Sequence, residues 1–289
     1  MGINIGAVLA PLVIGYFAQG ESFKRILSSM GFAPTSGWHW GFGAAGVGMI
    51  LGLAIYLLNQ RQLAQVGNRV KKQTAATLKN EASSAALTSN DWKRIVAMLI
   101  FFLFTIAFWA AYEQKGASLN LYAKDLVRTE VFGIKFPSSY LQSCTPLFVI
   151  LLAPFFSAIW VRMQDRQPSS PAKFTIGLLF IGAAYLLLIP ASLLTVEGKI
   201  SPLWLVALYF VEVCGEMCLS PVGLSTVTKL APVKLVGIMM GAWFLATSFG
   251  NKLAGYLSGF YVANNSGQLV KLYGGIALGL LVAAGILAL

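Results

Sequence analysis

The sequence predicts an all-α protein that crosses a membrane several times. Of its 289 residues 57% are hydrophobic and only 11% are charged, whereas a soluble domain carries about 25% charged residues. Apolar runs of about 20 residues, the length of a membrane-crossing helix, recur along the chain and alternate with polar segments. We identify no strand pattern, so the expected architecture is a bundle of transmembrane helices.

Eight apolar segments qualify as membrane spans. They lie at about residues 2–18, 38–58, 94–122, 138–162, 172–195, 202–225, 235–260 and 269–289. The first begins at the second residue without a charged leader or a cleavage site, which indicates a membrane helix whose beginning is missing rather than a signal peptide. Thr88 and Asp91 precede the third apolar run, and this spacing predicts the N-cap of its helix.

Basic residues accumulate in alternate loops, most of all in the polar linker 59–93. Cytoplasmic loops of membrane proteins carry such an excess of lysine and arginine, so the linker is predicted to be cytoplasmic. The net charge of +11 is assigned to these loops. No nucleic-acid-binding motif is present, and nucleic acid is not an expected partner.

The sixth span carries two carboxylates, Glu212 and Glu216, four residues apart and therefore on one face of a helix. An ionised side chain near the bilayer centre costs about 2.5–3.5 kcal/mol on insertion scales, and it normally faces a bundle interior or a water-filled cavity. The pair predicts the wall of an ion or substrate pathway. Alternatively, one glutamate lies near the interface and the other belongs to a buried structural pair. Pro221 and Gly223 follow and could bend the helix.

The third span holds Glu113, a second candidate for a buried functional acid, with Trp109 one turn earlier on the same face. A structural partner for a basic side chain is the alternative. Lys115 is expected either to snorkel or to lie at the outer interface. In the seventh span, Trp243 lies among glycines, which indicates either the wall of a cavity or a lipid-facing ring.

Catalytic motifs are not found. The three aspartates lie in loops or at span ends, and no HExxH, CxxC, GxSxG or P-loop sequence occurs. The three cysteines lie in apolar runs and are interpreted as packing residues: Cys144, Cys214 and Cys218. We therefore expect no enzymatic activity, no metal and no cofactor.

Three runs resemble the proton-dependent oligopeptide transporter family, a branch of the major facilitator superfamily: FWAAYEQKGASLNLYA (108–123), GEMCLSPVGLSTVTKLAP (215–232) and GIMMGAWFLATSFGNKLAG (237–255). GINIGAVLAPL (2–12), GWHWGFGAAGVGMILGL (37–53) and QSCTPLFVILLAPFFS (142–157) resemble the fifth, sixth and eighth helices of that family. The resemblance extends over nearly the whole chain, with the runs in the family's order.

The resemblance implies a major-facilitator-type bundle in which this chain supplies helices five to twelve and the N-terminal four are missing. Residues 1–58 would be two helices of a partial N-terminal bundle, 59–93 the cytoplasmic linker, and 94–289 the six-helix C-terminal bundle. The linker is too short for the two extra helices that many bacterial members insert. The chain is therefore expected to be a fragment.

The resemblance also implies roles for individual residues. Glu113 would take part in proton coupling, with a basic partner on the missing first helix. Glu216 would bind the peptide's amino group and take part in proton coupling, paired with a lysine on the missing fourth helix. Asn4 would contact the peptide backbone.

Two tryptophans, Trp109 and Trp243, would line pockets for the peptide side chains. Thr145 stands where many members have an asparagine that contacts the amino end, and its shorter side chain weakens this assignment. No family role can be given to Glu212.

The resulting functional prediction is proton-coupled symport of di- and tripeptides by alternating access in a bacterial-type inner membrane. The expected partners are these peptides, protons and the lipid bilayer. One alternative is the transport of another anion or of a peptide-like metabolite. The other, from a different class, is a membrane remnant or regulatory partner that does not transport.

Overall fold

A computed structural model of the chain describes residues 2–63, 87–131 and 133–289. In this part of the chain, 8 helical segments are long and apolar enough to cross a membrane: Gly2–Gln19, Pro34–Leu58, Ser89–Asp125, Ser138–Arg166, Ser170–Glu197, Leu203–Leu230, Val233–Ser258 and Ser266–Ala288. Their number and order confirm the predicted all-α membrane fold. Most of the predicted cytoplasmic linker, residues 64–86, lies outside the described residues.

Several of these spans include short 3-10 turns, and in the third span such a turn divides the α-helix. The α-helices are α1 (Gly2–Gln19), α2 (Glu21–Ser29), α3 (Gly37–Leu58), α4 (Gln60–Leu63), α5 (Ser89–Tyr112), α6 (Ser118–Asp125), α7 (Cys144–Met163), α8 (Ser170–Leu186), α9 (Leu188–Leu194), α10 (Leu203–Leu230), α11 (Val236–Ser258) and α12 (Ser266–Ala288).

The expectation that the chain has no strand was wrong in one loop. Strands β1 (Glu130–Val131) and β2 (Ile134–Lys135) form a small antiparallel hairpin. Gly133 between them has a φ of +77°, a conformation that glycine adopts without the steric cost of a side chain. With only two residues in each strand, the alternation that marks a strand in a sequence has no room to appear.

The start of α5 confirms the predicted N-cap. The Thr88 side chain accepts a hydrogen bond from the Asp91 N–H at 3.2 Å, and the Thr88 N–H donates to the Asp91 carboxylate at 2.9 Å. This reciprocal pair is a capping box, which satisfies backbone donors that the first turn of a helix leaves unpaired.

Two spans are interrupted where the sequence predicted continuous helices. The third span ends its α-helix at Tyr112, continues as a 3-10 turn over Glu113–Gly116, and resumes as α6. The fifth span changes from α8 to α9 at Leu187. Pro190 explains the second interruption, because it lacks a backbone N–H and its ring clashes with the carbonyl of the residue four positions earlier. By contrast, Pro221 does not interrupt α10.

The hydrophobic core lies in the last six spans, between Ile95 and Ala284. Here α10 packs on α8, α8 on α12, and α5 on α11. In the first two spans, α1 packs against α3 and also contacts α7 and the turn before it. This packing leaves the predicted division into 1–58, 59–93 and 94–289 as a prediction.

Two loops at the same end of the bundle are joined by backbone hydrogen bonds. The Arg128 N–H donates to the Ile200 carbonyl at 2.8 Å, and the Ile200 N–H donates to the Leu126 carbonyl at 2.9 Å. They form a parallel bridge between Val127 and Ile200. The end of α6 is therefore tied to the segment that leads into α10.

Helix α10 approaches α8 so closely that two glycine backbones touch. A Cβ atom built on Gly215 would lie 2.8 Å from the Gly177 carbonyl oxygen, and one built on Gly177 would lie 3.0 Å from the Gly215 carbonyl oxygen. Small residues at helix interfaces permit such contacts in membranes, where packing drives helix association. The contact fixes the position of α10, the helix that carries Glu212 and Glu216.

Gly215→Ala should destabilise the bundle by about 1–3 kcal/mol, because the added methyl group meets backbone atoms that cannot rotate away. The measurement is thermal unfolding of the purified chain in detergent. Gly241→Ala is the matched control, because a Cβ there has no atom within 4 Å. Equal unfolding temperatures for the two variants would contradict the packing argument.

Candidate functional site

The acidic residues of two spans meet where α5 gives way to its 3-10 turn. The Tyr112 hydroxyl donates a hydrogen bond to the Glu216 carboxylate of α10. Glu113, Glu212 and Glu216 all exert an electrostatic effect on Lys115. Carboxylates that the sequence placed in separate spans thus belong to one acidic cluster, which we define as Glu113, Lys115, Glu212 and Glu216 together with Tyr112.

Tyr112 connects the two helices of this cluster, although no role was predicted for it from the sequence. It is only 4% exposed. Its ring stacks on that of Phe108 at 5.7 Å and meets Trp109 edge-on at 5.2 Å. These two neighbours hold the ring, so the hydroxyl has a fixed direction towards Glu216. Its position immediately before Glu113 is the only sequence signal that could have identified it.

Lys115 does not extend to the outer interface, so that expectation was wrong. Its ammonium nitrogen lies 3.1 Å from the centroid of the Tyr112 ring. The aromatic face attracts the cation, and the surrounding carboxylates add to the attraction. Because the α-helix tightens into a 3-10 turn at Glu113, the side chain of Lys115 folds back over Tyr112.

Gln114 supports the interrupted span, and the sequence did not identify it. Its fully buried side chain donates to the carbonyl of Ala110 at 3.2 Å and to that of Ala254 on α11 at 3.0 Å. The Ser118 hydroxyl donates to its carbonyl oxygen at 2.7 Å. Irregular backbone at membrane depth needs such partners inside the protein. Gln114 therefore stabilises the interruption of the α-helix beside Glu113.

The two glutamates of α10 have different surroundings. Glu216 is partly exposed and accepts the bond from Tyr112. Glu212 is 0% exposed, and neither of its carboxylate oxygens has a hydrogen-bond partner in the described part of the chain. Only Glu216 is thus accessible to a substrate in this structure.

The two tryptophans predicted to line pockets lie in different places. Trp109 is partly exposed and packs beside Tyr112, and its buried indole N–H has no partner among the described residues. Trp243 is 4% exposed and meets Phe102 at 6.1 Å and Phe174 at 6.4 Å, inside the core. Trp109 belongs to the surroundings of the acidic cluster, whereas Trp243 lies apart from it.

Asn4 and Thr145 lie on two helices that pack together, α1 and α7. The Ser143 hydroxyl donates to the Val8 carbonyl at 2.8 Å, which ties the start of α7 to the turn of α1 that follows Asn4. Thr145 is 5% exposed, and its hydroxyl has no partner within the described chain. Neither residue has a hydrogen bond to the acidic cluster among the described contacts.

Two cavities lie elsewhere in the molecule. One, of about 450 Å³, is an apolar groove between α5, α11 and α12. The other, of about 370 Å³, lies between α7, α8 and α10 beside Trp160 and Lys173. Neither is lined by Glu113 or Glu216. In the described residues, no group of three or more histidine, cysteine, aspartate or glutamate side chains could hold a metal ion.

Known proteins of similar sequence are membrane transporters. The peptide transporter YePEPT of Yersinia enterocolitica is 32% identical over 100% of this chain and 65% of its own length. The uncharacterized transporter YclF of Bacillus subtilis is 31% identical over 90% of this chain and 59% of its own length. The chain thus spans 59% and 65% of the lengths of these two curated relatives.

Solved structures give the same result for the fold. A mutant of the peptide transporter POT in complex with alafosfalin superposes with a TM-score of 0.82 at 32% identity, over 99% of this chain and 64% of that one. The structure of the peptide transporter POT in complex with sulfate gives a TM-score of 0.73 at 29% identity, over 99% of this chain and 65% of that one.

The family of this chain is shown by a match to a family sequence profile. The profile of the POT family matches residues 1–80 and 62–272, which together make up most of the chain. This match confirms the resemblance seen in the motifs of the third, sixth and seventh spans. The chain, a multi-pass membrane protein, therefore belongs to the POT family.

Proposed function

We propose that the protein containing this chain is a proton-coupled symporter of di- and tripeptides that works by alternating access. The observation that carries the proposal is the Glu216 carboxylate, held by Tyr112 inside an apolar bundle and partly exposed. Such a residue inside a membrane is costly and marks a pathway for ions or substrates. Relatives named as peptide transporters and as dipeptide and tripeptide permeases support the choice of substrate.

Peptide recognition is proposed to depend on Glu216. The ammonium group of a peptide's amino end can form a charge-assisted hydrogen bond with a carboxylate, and such bonds are stronger than neutral ones. Tyr112 fixes the carboxylate in one orientation. Asn4, Thr145 and Trp109 are proposed to contact the rest of the peptide. For Trp243 to line a side-chain pocket, its ring would have to be uncovered, since it is 4% exposed here.

Proton coupling is proposed to involve Glu113 and Glu216. The acidic cluster contains three carboxylates and one ammonium group, that of Lys115. Several negative charges cannot remain ionised at such short range in an apolar environment, so protons must neutralise part of them. Binding or loss of a proton then changes the attraction between spans, which links proton movement to the conformation of the transporter.

The proposal includes the arrangement of the chain. Residues 1–58 would be two helices of the N-terminal bundle, 59–93 a cytoplasmic linker, and 94–289 the C-terminal bundle, in a bacterial-type inner membrane. Core residues confined to the last six spans support this division. Transport of a different anion or peptide-like metabolite is the second candidate, favoured by the threonine at position 145.

Two proteins test the proposal in liposomes. One is this chain, and the other is a chimera in which the N-terminal segment of YePEPT precedes Gly2. A pH gradient, acidic outside, should drive accumulation of a labelled dipeptide by the chimera. Uptake that is independent of the gradient, or competed better by a non-peptide anion than by dipeptides, would overturn the proposal.

Glu216→Gln in the chimera should weaken binding of peptides with a free amino end by more than tenfold, since about 1.4 kcal/mol corresponds to tenfold. N-acetylated peptides already lack the charge and should lose much less. Competition assays with matched free and acetylated peptides measure the difference. Glu212→Gln is the control and should not discriminate between the two kinds of peptide. Equal losses for both peptides in Glu216→Gln would exclude the amino-group role.

Tyr112→Phe keeps the ring under Lys115 but removes the hydroxyl that donates to Glu216. A hydrogen bond to a charged group contributes about 1.5–3 kcal/mol, so affinity for free-amino dipeptides should fall by about tenfold or more. Tyr261→Phe is the matched control, because it removes a 3.3 Å hydroxyl–carboxylate bond to Asp125, outside the acidic cluster. Both variants are compared by dipeptide competition in the chimera. Similar affinities for the two variants would show that Tyr112 does not position Glu216.

A further inference from the structure

The surroundings of Glu212 are supplied entirely by this chain. Its exposed fraction is 0% within this chain. It lies on α10, which packs against α5, α7, α8 and α11. Glu216, one turn later, remains partly exposed. Further helices could cover Glu216, but they are not needed to enclose Glu212.

Charged and titratable groups reach Glu212 from several sides. Some of these groups act on Glu212 through their charge or hydroxyl, and others lie beside its tyrosine neighbours. They are Tyr112, Glu113 and Lys115 from the third span, Tyr185 from α8, Tyr209 and Glu216 from α10, Cys144 from α7 and Tyr273 from α12. The titratable residues of α11, Lys252 and Tyr256, are exposed, as is Arg162 of α7. Among the charged groups, Lys115 has the largest electrostatic effect on Glu212.

Despite this effect, neither carboxylate oxygen of Glu212 has an ion-pair or hydrogen-bond partner among the described residues. The Lys115 ammonium lies over the Tyr112 ring instead. The Tyr185 hydroxyl is near enough to Glu212 to act on it, but its hydrogen bond is donated to the Ala111 carbonyl at 2.8 Å. A fully buried carboxylate without a partner costs far more free energy than a neutral carboxyl group. The surroundings of Glu212 therefore favour the neutral, protonated form of its carboxyl group.

We propose that Glu212 is a further proton-binding site, separate from Glu113, which exchanges its proton through Glu216. The O–H bond of Glu212 breaks, and the proton forms an O–H bond on the Glu216 carboxylate one turn along the same face. Lys115 then moves from the Tyr112 ring towards the charge that is left on Glu212. One proton changes position and the net charge of the acidic cluster is conserved. A contribution of this exchange to transport rests on the proposed function, whereas the protonated state of Glu212 does not.

Geometry supports this route. Side chains four residues apart on a helix have Cβ atoms about 5–6 Å apart, a distance that two glutamates or one intervening water can bridge. Glu113 and Glu216 are both partly exposed, whereas Glu212 is enclosed. Glu216 lies on the same helix face as Glu212, one turn away, and therefore offers a route from Glu212 to the surface.

Infrared spectroscopy of the purified chain in detergent tests the site without requiring transport. The unchanged chain should show the C=O stretching band of a protonated carboxyl group, and this band should lose intensity in Glu212→Gln. Gln has the size and neutrality of the protonated side chain, so the fold should be kept, which thermal unfolding checks. A band of unchanged intensity in Glu212→Gln would overturn the assignment.

Deuterium exchange tests the route in the same samples. In D₂O the band should shift as the proton of Glu212 is replaced, and Glu216→Gln should slow this shift by at least about tenfold, the effect of about 1.4 kcal/mol on a barrier. Glu197→Gln, at an exposed glutamate outside the acidic cluster, is the matched control and should leave the exchange rate unchanged. An exchange rate that is the same in Glu216→Gln and in the unchanged chain would overturn the proposed path.

Transport by the chimera tests whether the proton of Glu212 takes part in proton-coupled transport. In the chimera, Glu212→Gln should lose accumulation driven by a pH gradient and retain counterflow exchange of dipeptide, which needs no net proton movement. Loss of both activities would assign Glu212 a structural role, and retention of both would show that its proton does not take part in coupling. If the unchanged chimera does not transport dipeptide, the proposed function fails, while the infrared measurements still decide the proton site.

Discussion

The hydrogen bond between Tyr112 and Glu216 is the interaction on which the arrangement of the acidic cluster depends. It joins the last residue of α5 to the middle of α10. Tyr112 lies at the end of an α-helix, where the backbone tightens and the Lys115 ammonium returns over the ring. Gln114 makes this change of backbone possible because it supplies hydrogen bonds within the bundle. The 3-10 turn Glu113–Gly116 thus determines where Lys115 meets the three carboxylates of the acidic cluster.

Small residues determine the position of α10, the helix that carries Glu216. Gly177 and Gly215 bring the backbones of α8 and α10 into contact immediately before Glu216. Further along α10, a side chain at Gly223 would collide with the ring of Trp243. These close contacts hold α10 against α8 without polar interactions, so the packing of these two helices does not depend on the carboxylates of α10.

Periodicity and charge predicted much of this molecule. The lengths of the apolar runs predicted the eight spans. The four-residue spacing predicted that Glu212 and Glu216 share one helix face, and the Thr88–Asp91 pattern predicted the N-cap. The interruption at Glu113 could not be predicted, because its cause is the set of contacts that Gln114 makes with Ala254, 140 residues away. The position of Lys115 depends on the same interruption. A pattern along one helix also cannot show that Trp243 is enclosed by aromatic rings of two other helices.

The parallel bridge between Val127 and Ile200 has a mechanical consequence. It joins the ends of α6 and α10 through paired backbone hydrogen bonds, at the end of the bundle opposite to Lys229. Backbone pairs lengthen very little before they break, so the third and sixth spans cannot separate at this end while the bridge is intact. Relative movement of the helices that carry Glu113 and Glu216 is therefore restricted at this end and less restricted towards the opposite face of the membrane.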